Sequence, residues 1–376
     1  MKILTDTDVL VVGGGPAGLA AAIAARLRGL SVVVADGARS PIDKACGEGL
    51  LPNGVAALDR LGVALDDDEV FPFHGIRFVD RHLHAEAAFP DVHALGIRRT
   101  VLHRRLLERA LDVGAVACWG ESLRFDRPGA VELQGRSVRY RWLIGADGHQ
   151  SEIRSRMGVG PRRAPQRRTG VRQHFRVTPW TDFVEVYWGK RCQAYVTPVG
   201  PNEICIALIG EVPEKLLASI PLLFPELAER LGGARPTTSV RGGVSATLRL
   251  RAVVRDRAAL VGDASGSVDA ITGDGLAMAF QQAVALGEAL ATSDLRSYQD
   301  AHRRIGRLPK MMARLLLLMS DTAWVRRRAL AALRSRPEVF HRLLGIHVGA
   351  LPPTAIGAKA VAGFAWQLVA ADASAL

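Results

Sequence analysis

Cysteine is scarce in this 376-residue chain: Cys46, Cys118, Cys192 and Cys205 are its four thiols. They lie far apart, form no C-x-x-C pair and follow no secretory leader, which argues against a disulfide framework or a zinc site. A reducing, cytoplasmic setting is the expectation. Lysine is scarce too, supplying six of 49 cationic residues, so the formal charge of +12 rests on arginine in an Arg-, Ala- and Gly-rich composition. With 6% aromatic residues and no nucleic-acid-binding motif, that charge reads as a solvated basic surface, with no nucleic-acid partner expected, though its field favours anionic ligands. No apolar run reaches the ~18 residues of a spanning helix, so a soluble or membrane-peripheral chain is expected. The length allows one complex domain or two to three smaller ones.

What is present begins at residue 8. "DVLVVGGGPAGLAAAIAARLRGLSVVVAD" (8–36) reads as strand, glycine turn, Ala-rich helix and Val-rich strand, a βαβ unit. Gly13 permits the tight turn, Gly15 lets backbone approach a pyrophosphate, and Gly18 lets helix and strand pack closely. Pro16 and Ala17 open the helix, whose N-terminus offers free N–H groups and a positive dipole end. Asp36 closes the second strand where it can bond a ribose hydroxyl, which suits FAD or NAD better than a 2′-phosphate.

Two later stretches repeat the strand-then-glycine pattern. "LIGADGHQSEIR" (143–154) carries Asp147-Gly148, then Ser151 and Arg154; "ALVGDASGSVDAITGDGLAMAF" (259–280) carries Gly262-Asp263 and Gly273-Asp274-Gly275 before a helix. With these three motifs in order, roughly the first 300 residues resemble the flavoprotein hydroxylase superfamily typified by para-hydroxybenzoate hydroxylase, with its geranylgeranyl reductases and flavin-dependent halogenases.

The resemblance implies an α/β fold: a Rossmann-like, glutathione-reductase-type FAD-binding domain assembled from 1–70, 98–165 and 254–300, with an inserted antiparallel β-sheet substrate domain from 71–97 and 166–253, and a helical segment over 301–376. It implies FAD as cofactor, with Asp147 and Gly148 near the pyrophosphate and the nicotinamide path, Asp263 on the ribityl chain, and the Gly273–Gly275 loop near the reduced ring. The helix predicted over 97–110 carries Arg98 and Arg99 in its first turn; the dipole disfavours cations there, so Arg99 is expected to meet a flavin or pyrophosphate anion. No second G-x-G-x-x-G unit and no C-x-x-x-x-C pair follow the first unit, which sets the chain apart from disulfide-reductase flavoproteins. NADH or NADPH would therefore dock transiently on the same domain.

"KACGEGL" (44–50) resembles the Cys-Gly-Gly loop of geranylgeranyl reductases with Glu48 replacing the second glycine. On that likeness Gly47 and Gly49 let the loop lie against the ring, with Lys44 as a cofactor-binding residue that lends positive charge; Cys46 reads either as packing or as a reactive thiol, and Glu48 as a proton donor or acceptor. Tyr195, Thr197 and Pro198 resemble the strand that covers the flavin in those reductases, or are ordinary alternation in a half-buried strand. Histidines 74, 82, 84, 93 and 103 show no ligand pattern, so no metal is expected, and "DDDE" (66–69) reads as a solvated loop.

Residues 296–342 hold twelve basic and three acidic side chains among periodic leucines. They read as amphipathic helices packed on the flavin domain, with a peripheral membrane contact as one reading of their basic face. The leading reaction is NAD(P)H-dependent monooxygenation of a hydrophobic, phenol- or polyketide-like substrate through a flavin C4a-hydroperoxide. The alternative is hydride transfer to a C=C bond of a lipid or polyketide, which "VDAITGDG" (268–275) favours. A non-catalytic flavin-binding module is a third reading, and the oligomeric state is left open.

Overall fold

The computed structural model describes residues 6–121, 123–133, 135–161, 166–210, 217–355 and 357. A parallel sheet sits at its centre. Its first strand, Asp6–Val12, is flanked by Val32–Asp36 and then Val116–Trp119 on one side, and by Arg136–Gly145 and then Ala258–Leu260 on the other. Val9, Leu10 and Val11 are wholly buried, as a parallel strand covered on both faces requires. Helices Pro16–Arg26 and Gly275–Ala291 lie together on one face with Arg99–Asp112 against the first of them. On the other face a hairpin of Arg124–Arg127 and Ala130–Leu133 closes a small apolar core around Leu10, Val33 and Val131.

Strand order reverses between Asp6–Val12 and Arg136–Gly145, and the turns after them, at Gly13 and Ala146, lie in contact at the strands' carboxyl ends. Ligands of open α/β sheets bind at such a switch point.

A second, seven-stranded sheet runs in the order Arg241–Thr247, Gln166–Phe175, Glu203–Gly210, Cys192–Gly200, Phe183–Trp188, Gly75–Asp80, Leu83–Ala88. All its pairings are antiparallel except that of Phe183–Trp188 with Gly75–Asp80. Three short strands, Gly49–Leu50, Val70–Phe73 and Ala94–Ile97, join the two halves.

The C-terminal helices divide between the halves. Leu295–Ile305 packs on Gly275–Ala291, whereas Ala323–Ser335 and Pro337–His347 pack on strand Leu83–Ala88 of the second sheet. Arg307–Asp321 joins the same apolar cluster, in which Ala313, Leu330, Leu333, Phe340 and Leu344 meet Phe73, Val184, Val186 and Trp188. Packing on the flavin domain holds for the first helix and in part for Arg307–Asp321, which also meets Ala270–Thr272; the last two cover the apolar surface that the antiparallel sheet leaves. The expected helical segment beyond residue 357 lies outside the described residues.

Candidate active site

One cavity of about 990 Å³ runs from the strand ends of the parallel sheet to the space between the second sheet and the C-terminal helices. Its inner end is built of backbone. At Gly13 (φ 109°) a Cβ would meet the Ala146 carbonyl oxygen at 2.4 Å, and at Gly18 it would lie 1.8 Å from the Gly13 oxygen. Gly15, by contrast, faces open space within the cavity. The helix it opens has no side-chain cap and no acid in its first turn, which leaves its leading N–H groups for an anion. Asp36 accepts from the Gly14 N–H at 2.7 Å and the Ala38 N–H at 2.8 Å, while the buried His103 ring bonds the Gly14 carbonyl at 2.9 Å. Burial holds that imidazole below its ordinary pKa, as a neutral clamp on the turn.

The Asp147-Gly148 and Gly262-Asp263 turns line the same groove. Arg154 links them, donating to the His149 carbonyl at 2.5 Å and the Ala264 carbonyl at 3.2 Å. One Asp147 oxygen accepts from the Ile153 N–H at 3.1 Å; the other is buried without a partner. Lys44 stands 3.4 Å from Asp263, both about half exposed. Pro16, Ala17, Gly47, Gly273 and Gly275 also face the cavity.

Arg98 and Arg99 part company. The helix begins at Arg99, and Arg98 at its cap position pairs with Glu203 at 2.6 Å. Arg99 is buried, lines the cavity, and keeps its Nε without a partner. A buried unsatisfied donor carries a desolvation cost of about 1–3 kcal/mol, which a bound anion would remove. These orphaned groups, the uncapped helix and the open backbone at Gly15 fit a dinucleotide with an anionic centre. FAD would be held by Gly15, Asp36, Lys44, Arg99, Asp147 and Asp263, and would bring two-electron hydride chemistry.

Three expected site residues have other partners. Asp274 is buried and turned from the cavity toward His347, 3.5 Å away; burial pushes its pKa up, His347 countering. The Tyr195 hydroxyl donates to the Ile271 carbonyl at 2.7 Å while the residue lines the cavity, and burial drives its pKa well above the phenol range. Glu48, 1% exposed, accepts from the Arg99 N–H at 2.9 Å and lies 2.6 Å from His174 Nε2, with Arg172 beside it. Its backbone adopts φ 59°, the left-handed region that the replaced glycine of the resembled loop would enter freely. The carboxylate network holds it there. Cys46 stays half-buried in the lining, its sulfur 3.4 Å from the Glu48 backbone nitrogen.

Glu48, His174 and Cys205 have metal-ligand spacing and are all buried. The Arg172 guanidinium, 3.2 Å from His174 and also bonded to Asp43, occupies that neighbourhood with positive charge. "DDDE" is no mere solvated loop, since Glu69 bonds Arg104 and Arg105 on the following helix. His103, His149, His174 and Arg172 gave no motif signal; each acts through contacts across the fold, and a buried histidine reads locally as core.

The outer part of the cavity is apolar, with Phe78, Tyr195 and Phe340 among its aliphatic side chains. Met312, Leu316, Met319, Leu333, Leu343 and Leu344 face Ile76, Phe78, Val184 and Val186 across it.

A glycine-turn dinucleotide site joined to an apolar chamber defines an FAD-dependent oxidoreductase. The chain belongs to the FAD binding domain family, whose model matches residues 6–204. It is 30% identical to a menaquinone reductase of Mycolicibacterium smegmatis over 326 residues, covering 79% of each chain. It is 31% identical to a putative 2-heptyl-3-hydroxy-4(1H)-quinolone synthase of Rhodococcus erythropolis over 324 residues, covering 78% of this chain and 84% of that one. The fold matches a flavoprotein/dehydrogenase of Cytophaga hutchinsonii with a TM-score of 0.82 at 16% identity, over 97% of this chain and 98% of that one.

Proposed function

We propose that this oxidoreductase reduces a carbon–carbon double bond in a lipid-like molecule that carries an aliphatic tail, with NADH or NADPH as transient donor. The observation that carries the reading is the aliphatic chamber continuous with the nucleotide groove. Its volume of about 990 Å³ reaches the upper end of ordinary ligand pockets, roughly 300–1,000 Å³, as a cavity shared by cofactor and substrate requires. The chamber walls take the tail and exclude water; Arg99 and the uncapped N-terminus of Gly275–Ala291 place positive potential at the junction, where negative charge develops. The menaquinone reductase relative acts in name on a molecule of this kind.

A second reading, oxygen transfer to the same type of substrate, draws on the quinolone synthase relative. One experiment separates them: incubation with menaquinone or an alkylquinolone and NAD(P)H, in air and without it. A product that gains two hydrogens on carbon anaerobically, and keeps them after the ring is reoxidised in air, supports reduction of the double bond; one that gains oxygen only in air supports the second reading; no turnover with either class refutes both.

We further propose that the mouth of the chamber rests on an anionic bilayer. No helix among the described residues is long and apolar enough to cross a membrane. Leu315 and Leu318, each half exposed, line the cavity and so mark its mouth, with Met311 and Trp324 exposed beside them. Arg307, Arg314 and Arg327 are exposed on the same two helices, an arrangement suited to shallow insertion with cationic flanks. Flotation with phosphatidylserine vesicles should carry the protein, and Leu315→Glu with Leu318→Glu should abolish it; a wild-type chain left at the bottom of the gradient refutes the contact.

A further inference from the structure

Behind the loop that carries the third glycine motif lies a second cavity of about 260 Å³. Residues 248–253, the loop 265–268 and the consecutive helices Leu295–Ile305 and Arg307–Asp321 build it. They bring Arg249, Arg251, Arg303, Lys310 and Arg314 to its wall, and no carboxylate is among the lining residues. Arg303 pairs with Asp300 at 3.2 Å, both well exposed, where such a pair is worth little. Gly266, Ser267, Val268 and Met278 line this cavity and the large one alike. The loop is thus a thin partition between them.

The positive field reaches inward. His302, 8% exposed, lies on the wall with its Nε2 2.9 Å from the Ser265 hydroxyl. Burial first, then Lys310 and Arg303, lower its pKa to about 4. The chain therefore concentrates cations around a concave space and keeps its buried imidazole neutral there. Arg249, Arg251, Arg303 and Arg314 are exposed at the rim, where water screens their mutual repulsion, and an anion entering the space would meet the positive potential of all of them.

We propose that this second cavity binds a phosphoryl group of a ligand that works at the large cavity. Guanidinium groups match phosphate oxygens in geometry and charge, and the volume suits a phosphate or diphosphate with part of its carrier. Two sources share that chemistry: the 2′-phosphate or diphosphate of a pyridine dinucleotide donor, and the diphosphate or phosphate head of a lipid substrate. Their assignment rests on the oxidoreductase reading above; the phosphoryl site itself does not, because binding is measured without turnover.

The test is calorimetric titration of the FAD-loaded full chain, whose own pyrophosphate groove is then filled, with inorganic pyrophosphate, 2′,5′-ADP, NADPH and NADH. The double variant Arg249→Gln/Arg251→Gln, with its FAD content checked, is titrated in parallel. At least one phosphoryl probe should bind the wild type and lose tenfold or more in the variant, and saturation should raise the titration midpoint of the His302 imidazole followed by NMR. 2′,5′-ADP and NADPH binding at least tenfold tighter than NADH marks the donor as the source. Pyrophosphate binding without 2′,5′-ADP binding marks a lipid diphosphate. Binding of no probe, or binding that the double variant leaves unchanged, overturns the proposal.

Discussion

The two ends of the large cavity are built by opposite means. The nucleotide end is made of backbone: turns at Gly13, Gly148 and Gly262, two uncapped helix starts, and a few carboxylates at strand ends. The outer end is made of side chains from the second sheet and three C-terminal helices. Backbone geometry tolerates almost no substitution, since one Cβ at Gly18 would sit 1.8 Å from a carbonyl oxygen. An aliphatic wall accepts many residues of similar volume. The first end thus fixes a cofactor and the second is free to set a substrate.

Variants can break or sharpen that contrast. The largest effect is expected at the seam, where Glu48 ties the flavin loop to His174, Arg172 and the start of the Arg99 helix. Removing one partner of a buried ion network costs about 3–5 kcal/mol, so Glu48→Ala should lower the unfolding free energy by that amount in urea titrations and weaken FAD retention. Glu48→Gly should recover roughly 1 kcal/mol of it, because glycine adopts the left-handed backbone without strain. At the nucleotide end, Gly18→Ala forces an overlap worth about 3 kcal/mol and should reduce FAD affinity by roughly a hundredfold, read as colourless purified protein.

The third effect comes from His302. Its folded pKa, about 4, lies below the ordinary value of 6.5, so the fold prefers the neutral ring. That preference stabilises the protein fully above pH 6.5 and is lost as pH falls toward 4. It amounts to roughly 3–4 kcal/mol at about 1.4 kcal/mol per pH unit. Thermal melts should fall over that window in wild type and less steeply in His302→Gln. The smallest effect belongs to the chamber: Met312→Trp should raise KM for a long-chain substrate about tenfold, near 1.4 kcal/mol, while FAD content stays unchanged. Loss of flavin in that variant would join the two ends that the contrast separates.

Legibility followed the same division. Gly13, Gly15, Gly18, Asp147 and Asp263 could be read from the chain because each turn is specified within a few residues of its strand. Arg99 stood out as a cation where a helix dipole opposes one, and the fold sets it on the cavity wall. Asp274, Tyr195 and Glu48 were legible as residues near the flavin loop, but their side-chain directions were not. Asp274 finds His347 and Tyr195 finds Ile271 across more than 70 residues of chain, and no local pattern encodes such a meeting. His103 and His174 left no signal for the same reason. The helices after residue 306 were legible as amphipathic; which surface they cover was not, since an apolar stripe specifies burial without naming a partner.

By itself the sequence determined the dinucleotide unit and the order of the three glycine turns, because strand, turn and helix start are short-range backbone problems with few solutions. Only the tertiary structure decided that Glu48 closes an ion network, that the last helices wall an aliphatic chamber, and that five separated cations surround one small cavity. Those are long-range meetings of side chains, settled by how two sheets and a helical cap pack together.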